Sequence, residues 1–170
     1  MYSNKITSLV DLFNLGMMRD YPEIKQRYTE GKELNIGPGN KHIDGCQEIE
    51  YPQYDAEKDL IPFANDEFDV IHCYHFLEHI RNVPMVIAEI NRVLKPGGHA
   101  NIVVPYYKSA MQAQDLDHKS QFTEKTFGHL FNNEYYSKGK CVTMDIATNF
   151  IMGDCEANLC LVVQLVKKES

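Results

Sequence analysis

Apolar positions along the chain change their period several times, and each change predicts an element. Residues 8–18 place Leu9, Leu12, Phe13 and Leu15 near helical spacing, with Ser8 and Asp11 at the start as a weak capping pair. A second short helix is expected over 22–30, with Pro22 at its start and Gly31 past its end. The run Glu33–Ile36 then reads as a buried strand, and Phe68–Cys73 as another. Residues 83–94 carry the clearest helical stripe: Val86, Ile87, Ile90, Val93 and Leu94 share one face. Asn82 stands at its cap, Pro84 in its first turn, and Lys95-Pro96-Gly97-Gly98 after it as a stop. Ala100–Val104 is a third strand. The polar stretch 106–140 reads as loops with a helix over 123–131. Two closing strands, 141–149 and 158–166, flank Gly153-Asp154-Cys155-Glu156 as a hairpin.

Strands alternating with helices, then a terminal hairpin, predict an α/β fold. The expected architecture is a Rossmann-like three-layer sandwich, mostly parallel with an antiparallel C-terminal hairpin. Residues 1–170 read as one domain. Residues 1–31 would be a helical cap, 32–105 a ligand-binding core, 106–140 a substrate-side segment and 141–170 the hairpin. In such sheets ligands sit beyond the carboxyl ends of the strands. Gly37-Pro38-Gly39 lies at such an end, and glycines there admit close approach of a ligand. A dinucleotide loop would carry glycine at position 42, which is His42, and no phosphate-loop signature is present.

Charge and cysteines narrow the classes. The formal net charge of −7 disfavours a broad nucleic-acid or anionic-membrane footprint. Five separated cysteines without a C-x-x-C pair suggest neither a zinc ribbon nor a disulfide framework. No signal peptide or spanning run is visible, so a cytoplasmic, reducing location is the expectation. A chain of this length buries roughly 70% of its unfolded surface, enough for a core.

Four phrases in order carry a resemblance: "LNIGPGNKHIDG", "DLIPFANDEFDVIHCYHFLEHI", "EINRVLKPGG" and "ANIVVPYY". Together they resemble class I S-adenosylmethionine-dependent methyltransferases over about residues 33–107. The resemblance implies that S-adenosylmethionine is the cofactor and S-adenosylhomocysteine the product. It implies that Gly37, Pro38 and Gly39 pass beneath the methionine part of the cofactor, which carries no phosphate. Asn35 stands where the family usually has an acid facing the cofactor's ammonium. Glu50 matches the acceptor for the ribose hydroxyls. Asp55, with the backbone of Ala56, matches adenine recognition. Cys73, Tyr74 and His75 would lie nearest the methyl group. The reaction implied is methyl transfer to an oxygen or nitrogen of a small-molecule or glycan acceptor.

Departures from that pattern are also legible. Only six residues (40–45) separate Gly39 from Cys46, and four (51–54) separate Glu50 from Asp55. A parallel crossover takes a dozen or more. The first two helices of the usual fold are therefore expected to be missing, and 51–59 to be loop or antiparallel. A short-looped subgroup of methyltransferase-like proteins has a similar "GNKxIxG" step. Residues 8–30 would then pack the uncovered sheet face. The shortening and Asn35 also leave open a non-catalytic binding or interaction domain of the same fold.

The acceptor side offers His75, Tyr106 and His118 as candidate catalytic residues. Asp115-Leu116-Asp117-His118-Lys119 is a polar cluster. His118 could serve as a general base, since an imidazole titrates near neutrality, or could merely tie down its loop. His75–His79 reads H-x-x-E-H, an inverted zinc-peptidase pattern. It follows a strand directly, and Pro84 soon interrupts, so Leu77-Glu78-His79 reads as packing and helix capping, and no metal is expected. No membrane or bulk nucleic-acid partner is expected. An exposed sheet edge would favour a dimer, although no interface is marked.

Overall fold

The computed structural model describes residues 31–132, 143–153 and 155–169. The helices expected at 8–18 and 22–30, the cap they would form and their packing on the sheet lie outside the described residues.

Six strands form one sheet: β1 (Glu33–Ile36), β2 (Gln47–Ile49), β3 (Phe68–Tyr74), β4 (Leu94–Pro105), β5 (Met144–Met152) and β6 (Cys160–Lys167). The order across the sheet is β2-β1-β3-β4-β6-β5. The first four run parallel, whereas β6 pairs antiparallel with both β4 and β5. The expected architecture is therefore present, with the second arm of the hairpin inserted between β4 and β5. All four parallel strands end on one edge, so the segments after Ile36, Ile49, Tyr74 and Pro105 meet there.

The missing helices are missing. From Gly37 to Cys46 the chain crosses from β1 to β2 in turns, fixed by Gly37 N–H donating to the Ile49 carbonyl (2.8 Å) and Lys41 N–H to that of Pro38 (2.7 Å). Such a short parallel crossover is feasible because β1 and β2 are only four and three residues long. Residues 51–59 are likewise turns and loop.

Alternation along the strands sorts side chains onto two faces. Leu34, Ile36, Ile71, Cys73, Ile102 and Val104 belong to the larger core with α1 (Val83–Val93). The buried stripe of α1 is the expected one, Val86, Ile87, Ile90 and Val93, joined by Val83. Asn82 holds the cap position, but its side chain makes no capping bond; its amide turns toward Met85 Sδ instead (3.8 Å). Arg92 closes α1 onto the preceding loop. Its guanidinium donates to the Glu89 carboxylate and to the carbonyls of Ile61 and Phe63.

β4 begins earlier than expected. Leu94 already pairs with Phe68, and the ladder resumes at Val70↔His99. The Lys95–Gly98 stop signal is thus an insertion in the ladder, anchored by Lys95 Nζ on Asp69 (2.7 Å). Among the described residues two helices follow β4: α2 (Ala110–Gln114) and α3 (Thr126–Asn132). The expected start of α3 at 123 moves to 126, because the hydroxyls of Thr123 and Thr126 take the N–H groups of Lys125 and Thr123 in a turn.

Candidate functional site

The loop after β1 is closed on itself by polar groups. Asn35 is buried, and its amide nitrogen donates to the Lys41 carbonyl (2.7 Å) and the Glu48 carboxylate (3.3 Å). Glu48 also accepts from Ile43 N–H and pairs with His42. An acid at position 35 would face a carbonyl and a carboxylate here, so the amide serves the loop. Its donor nitrogen is committed to that loop.

Gly37 has φ +62°, and a Cβ there would lie 2.2 Å from the Phe76 ring. The close approach that this glycine permits is taken by Phe76. Gly39, at φ +54°, has no atom within 4 Å of where its Cβ would be. Its N–H donates to Glu50 Oε2 (3.2 Å), so Gly39 and Glu50 lie together at the strand ends with Pro38 between the glycines. Asp55 lies in the turn after β2, where its carboxylate accepts from Glu57 N–H and pairs with Lys58 (2.6 Å). The Lys58 ammonium holds that carboxyl below its usual range. Ala56 is buried beside it.

At the end of β3 the side chains of Cys73 and Tyr74 enter opposite cores. Cys73 is fully buried, and burial pushes its thiol well above the ordinary range. The Tyr74 hydroxyl bonds His72 Nδ1 (2.7 Å). Neither side chain is offered to the strand-end edge; only their backbone could face a ligand.

His75 turns the chain out of β3 with φ +51°, a left-handed conformation that is uncommon for a residue with a Cβ. Its N–H donates to the Val103 carbonyl (2.8 Å). A short 3₁₀ turn, Leu77–His79, follows. Leu77 packs in the core as expected, but Glu78 does not fit a packing role. Its carboxylate is 1% exposed; Oε1 meets His75 Nδ1 at 3.2 Å, and Oε2 has no hydrogen-bond partner. His75 Nε2 and His79 Nδ1 have no hydrogen bond either, although His79 Nδ1 lies 3.5 Å from the Asp117 carboxylate. Burying such atoms without partners costs stability, so their presence needs a reason.

His118 reaches this group from 40 residues away because its loop is strapped to the turn. Lys119 and Ser120 N–H both donate to the Glu78 carbonyl (2.7 and 3.0 Å), and the Ser120 hydroxyl donates to the Ile80 carbonyl (2.6 Å). His118 Nδ1 lies 3.2 Å from the Gln112 carbonyl, Nε2 lies 3.6 Å from Asp115, and its ring stands edge-on to His79 at 4.9 Å. A pocket of about 380 Å³ opens on His75, Glu78, His79 and His118, with Asn40 and Lys41 of the first loop on its other wall. Burial lowers the Lys41 ammonium's pKa, opposed by Glu78.

Tyr106 is elsewhere. Its hydroxyl donates to Glu124 (3.0 Å) and does not line this pocket. Burial, then Glu124, pushes its phenol up to about 12. Glu78, His79 and Lys41 also line the pocket, and the sequence assigned them no site role. The H-x-x-E-H spacing was the one visible signal for Glu78 and His79.

A family model described as Methyltransferase domain matches residues 30–102. Over residues 30–102, less than half of its length, the chain is similar to methyltransferase domains. The chain is 36% identical over 75 residues to a sterol 4-C-methyltransferase of Caenorhabditis elegans, covering 44% of this chain and 21% of that protein. It is 29% identical over 100 residues to a ubiquinone/menaquinone biosynthesis C-methyltransferase of Desulfotalea psychrophila, covering 53% and 39%. The chain thus spans well under half the length of these curated relatives. The fold of a putative methyltransferase from Bacillus halodurans superposes with a TM-score of 0.63 at 13% identity, over 94% of this chain and all of that one. The chain therefore shares the fold of that structure.

Proposed function

We propose that this chain transfers the methyl group of S-adenosylmethionine to an oxygen or nitrogen of a small polar acceptor, leaving S-adenosylhomocysteine. The observation that carries the reading is the junction of two features on one strand-end edge. The Gly37–Gly39 loop and Glu50 lie at the ends of β1 and β2. The pocket with His75, Glu78 and His118 lies beyond the ends of β3 and β4, and shares Asn40 and Lys41 with that loop. A cofactor over the loop would present its methyl toward the pocket.

Each residue has a role on this reading. Glu50 accepts the ribose hydroxyls with two oxygens suited to two vicinal donors. Gly37, Pro38 and Gly39 form the floor under the methionine part, and Asp55 with the Ala56 backbone faces the adenine. Asn35 shapes the loop from behind. His75, whose Nε2 has no hydrogen-bond partner, would hold the acceptor and take its proton during methyl transfer, with His118 lining the acceptor site beside it. Positioning and exclusion of water supply most of the rate. The two relatives methylate carbon by name. Imidazoles and a carboxylate that can hydrogen-bond a hydroxyl or amine support the oxygen or nitrogen reading here, with a glycan hydroxyl as a special case.

The test is calorimetric titration with S-adenosylmethionine and S-adenosylhomocysteine, followed by an acceptor screen read by S-adenosylhomocysteine release. One-to-one binding weakened by Glu50→Ala supports the assignment. No heat up to about millimolar ligand, worth only roughly 4 kcal/mol, would instead identify a non-catalytic domain of the same fold.

A further inference from the structure

We infer that Glu78, His79 and His118 form a binding site for a divalent transition metal of the zinc type. One ligand atom from each lies within 4.8 Å of the other two. One carboxylate oxygen and two imidazole nitrogens are a donor set that zinc-like ions accept, and three protein ligands leave a position open. The open position would face the pocket, where it can take an oxygen of the acceptor.

Three observations point to an ion. Glu78 Oε2 is buried without a hydrogen bond, and so is His79 Nδ1, whose nearest charged neighbour is Asp117 Oδ2 at 3.5 Å. His118 Nδ1 faces the Gln112 carbonyl, a contact that places the proton on Nδ1 and the lone pair on Nε2. That is the tautomer a metal-ligating histidine needs, fixed from outside. His75 Nδ1 against Glu78 Oε1 orients the carboxylate in the same manner. The other cluster, Glu33, Cys46 and His72, differs: Glu33 bonds His72 (3.0 Å), and His72 bonds Tyr74 (2.7 Å). Its polar atoms satisfy one another, whereas those of the pocket do not.

The inference concerns the same pocket as the acceptor reading, but its test needs no cofactor, so the two can fail separately. Chelator-treated protein would be titrated with Co²⁺ and followed by its visible absorption, with Zn²⁺ as competitor. The expected result is one Co²⁺ per chain, displaced by Zn²⁺, with binding weakened roughly tenfold or more in Glu78→Gln, His79→Gln and His118→Gln. His79 is one-third exposed, so its variant keeps the test available should Glu78→Gln fail to fold. Circular dichroism would confirm the fold of each variant. The inference is overturned if no saturable spectrum develops, or if the spectrum survives in His79→Gln and His118→Gln. A spectrum lost in Cys46→Ser would also overturn it, because the ion would then sit at Glu33, Cys46 and His72.

Discussion

The loop from Asn35 to Glu50 and the pocket around Glu78 share one edge of the sheet, yet they treat polar atoms in opposite ways. In the loop several donors meet acceptors: Asn35 on Lys41, Gly39 on Glu50, Ile43 and His42 on Glu48. In the pocket Glu78 Oε2, His75 Nε2 and His79 Nδ1 are left over. A region that spends its hydrogen bonds on itself holds a shape. A region that leaves them unspent in a buried place holds them for a ligand, at a cost to stability. On the proposed reading the loop is the mould and the pocket the reactive part.

The largest effect expected from this contrast is at the two glycines. Gly37→Ala meets both a left-handed dihedral and the Phe76 ring, so it should cost roughly 2–4 kcal/mol in denaturant unfolding. Gly39→Ala meets only the dihedral and should cost about 1 kcal/mol. Adding Phe76→Leu to Gly37→Ala should recover the steric share. Equal costs at the two positions would show that the loop is not built round Phe76.

Next in size is the amide behind the loop. Asn35→Asp puts an acceptor against the Lys41 carbonyl and the Glu48 carboxylate, and a loss of roughly 2 kcal/mol is expected. Glu48→Ala, which strands Asn35 less completely, should cost about 1 kcal/mol. If Asn35→Asp instead unfolds at the same denaturant midpoint as the parent, the loop is held by something other than its polar ties.

The pocket should answer in the other direction. Glu78→Gln replaces a buried, half-satisfied carboxylate by a neutral group, so stability should hold or rise by up to about 1 kcal/mol, while ligand or metal binding is lost. A destabilisation comparable to that of Glu48→Ala would erase the contrast and make Glu78 a structural residue.

How far the sequence could foresee this follows the same division. The strands Glu33–Ile36 and Phe68–Tyr74 and the helix Val83–Val93 were legible because apolar period alone decides them. The missing helices were legible from loop length. The start of β4 at Leu94 was not, because it depends on Phe68 pairing across the sheet before Lys95–Gly98 loops out. His75 and His118 were both noticed, and the structure brings them into one pocket. Tyr106, next to β4 in sequence, turns to Glu124 instead. Glu78 was read as packing since a motif cannot show whether a carboxylate has a partner. That depends on the 115–120 strap, which uses Glu78's carbonyl and leaves its side chain alone.

The smallest effect is a pH dependence confined to the loop, and its sign is fixed. The hydrogen bond that the His42 imidazole donates to Glu48, with that carboxylate's charge, raises the exposed ring above its ordinary value. A group whose folded pKa is raised contributes stability that is fully present below about pH 6.5, its unfolded value, and is lost as pH rises through the folded value. Thermal melting from about pH 6 to 8 should therefore fall slightly more steeply in the parent than in His42→Gln. The His42 ring signal in a proton NMR titration should have its midpoint above about 6.5. Because His42 is exposed, salt should flatten both effects. A midpoint at or below that value would mean that Glu48 is committed to Asn35 and Ile43 alone, and the loop would then be closed by backbone and amide contacts without help from charge.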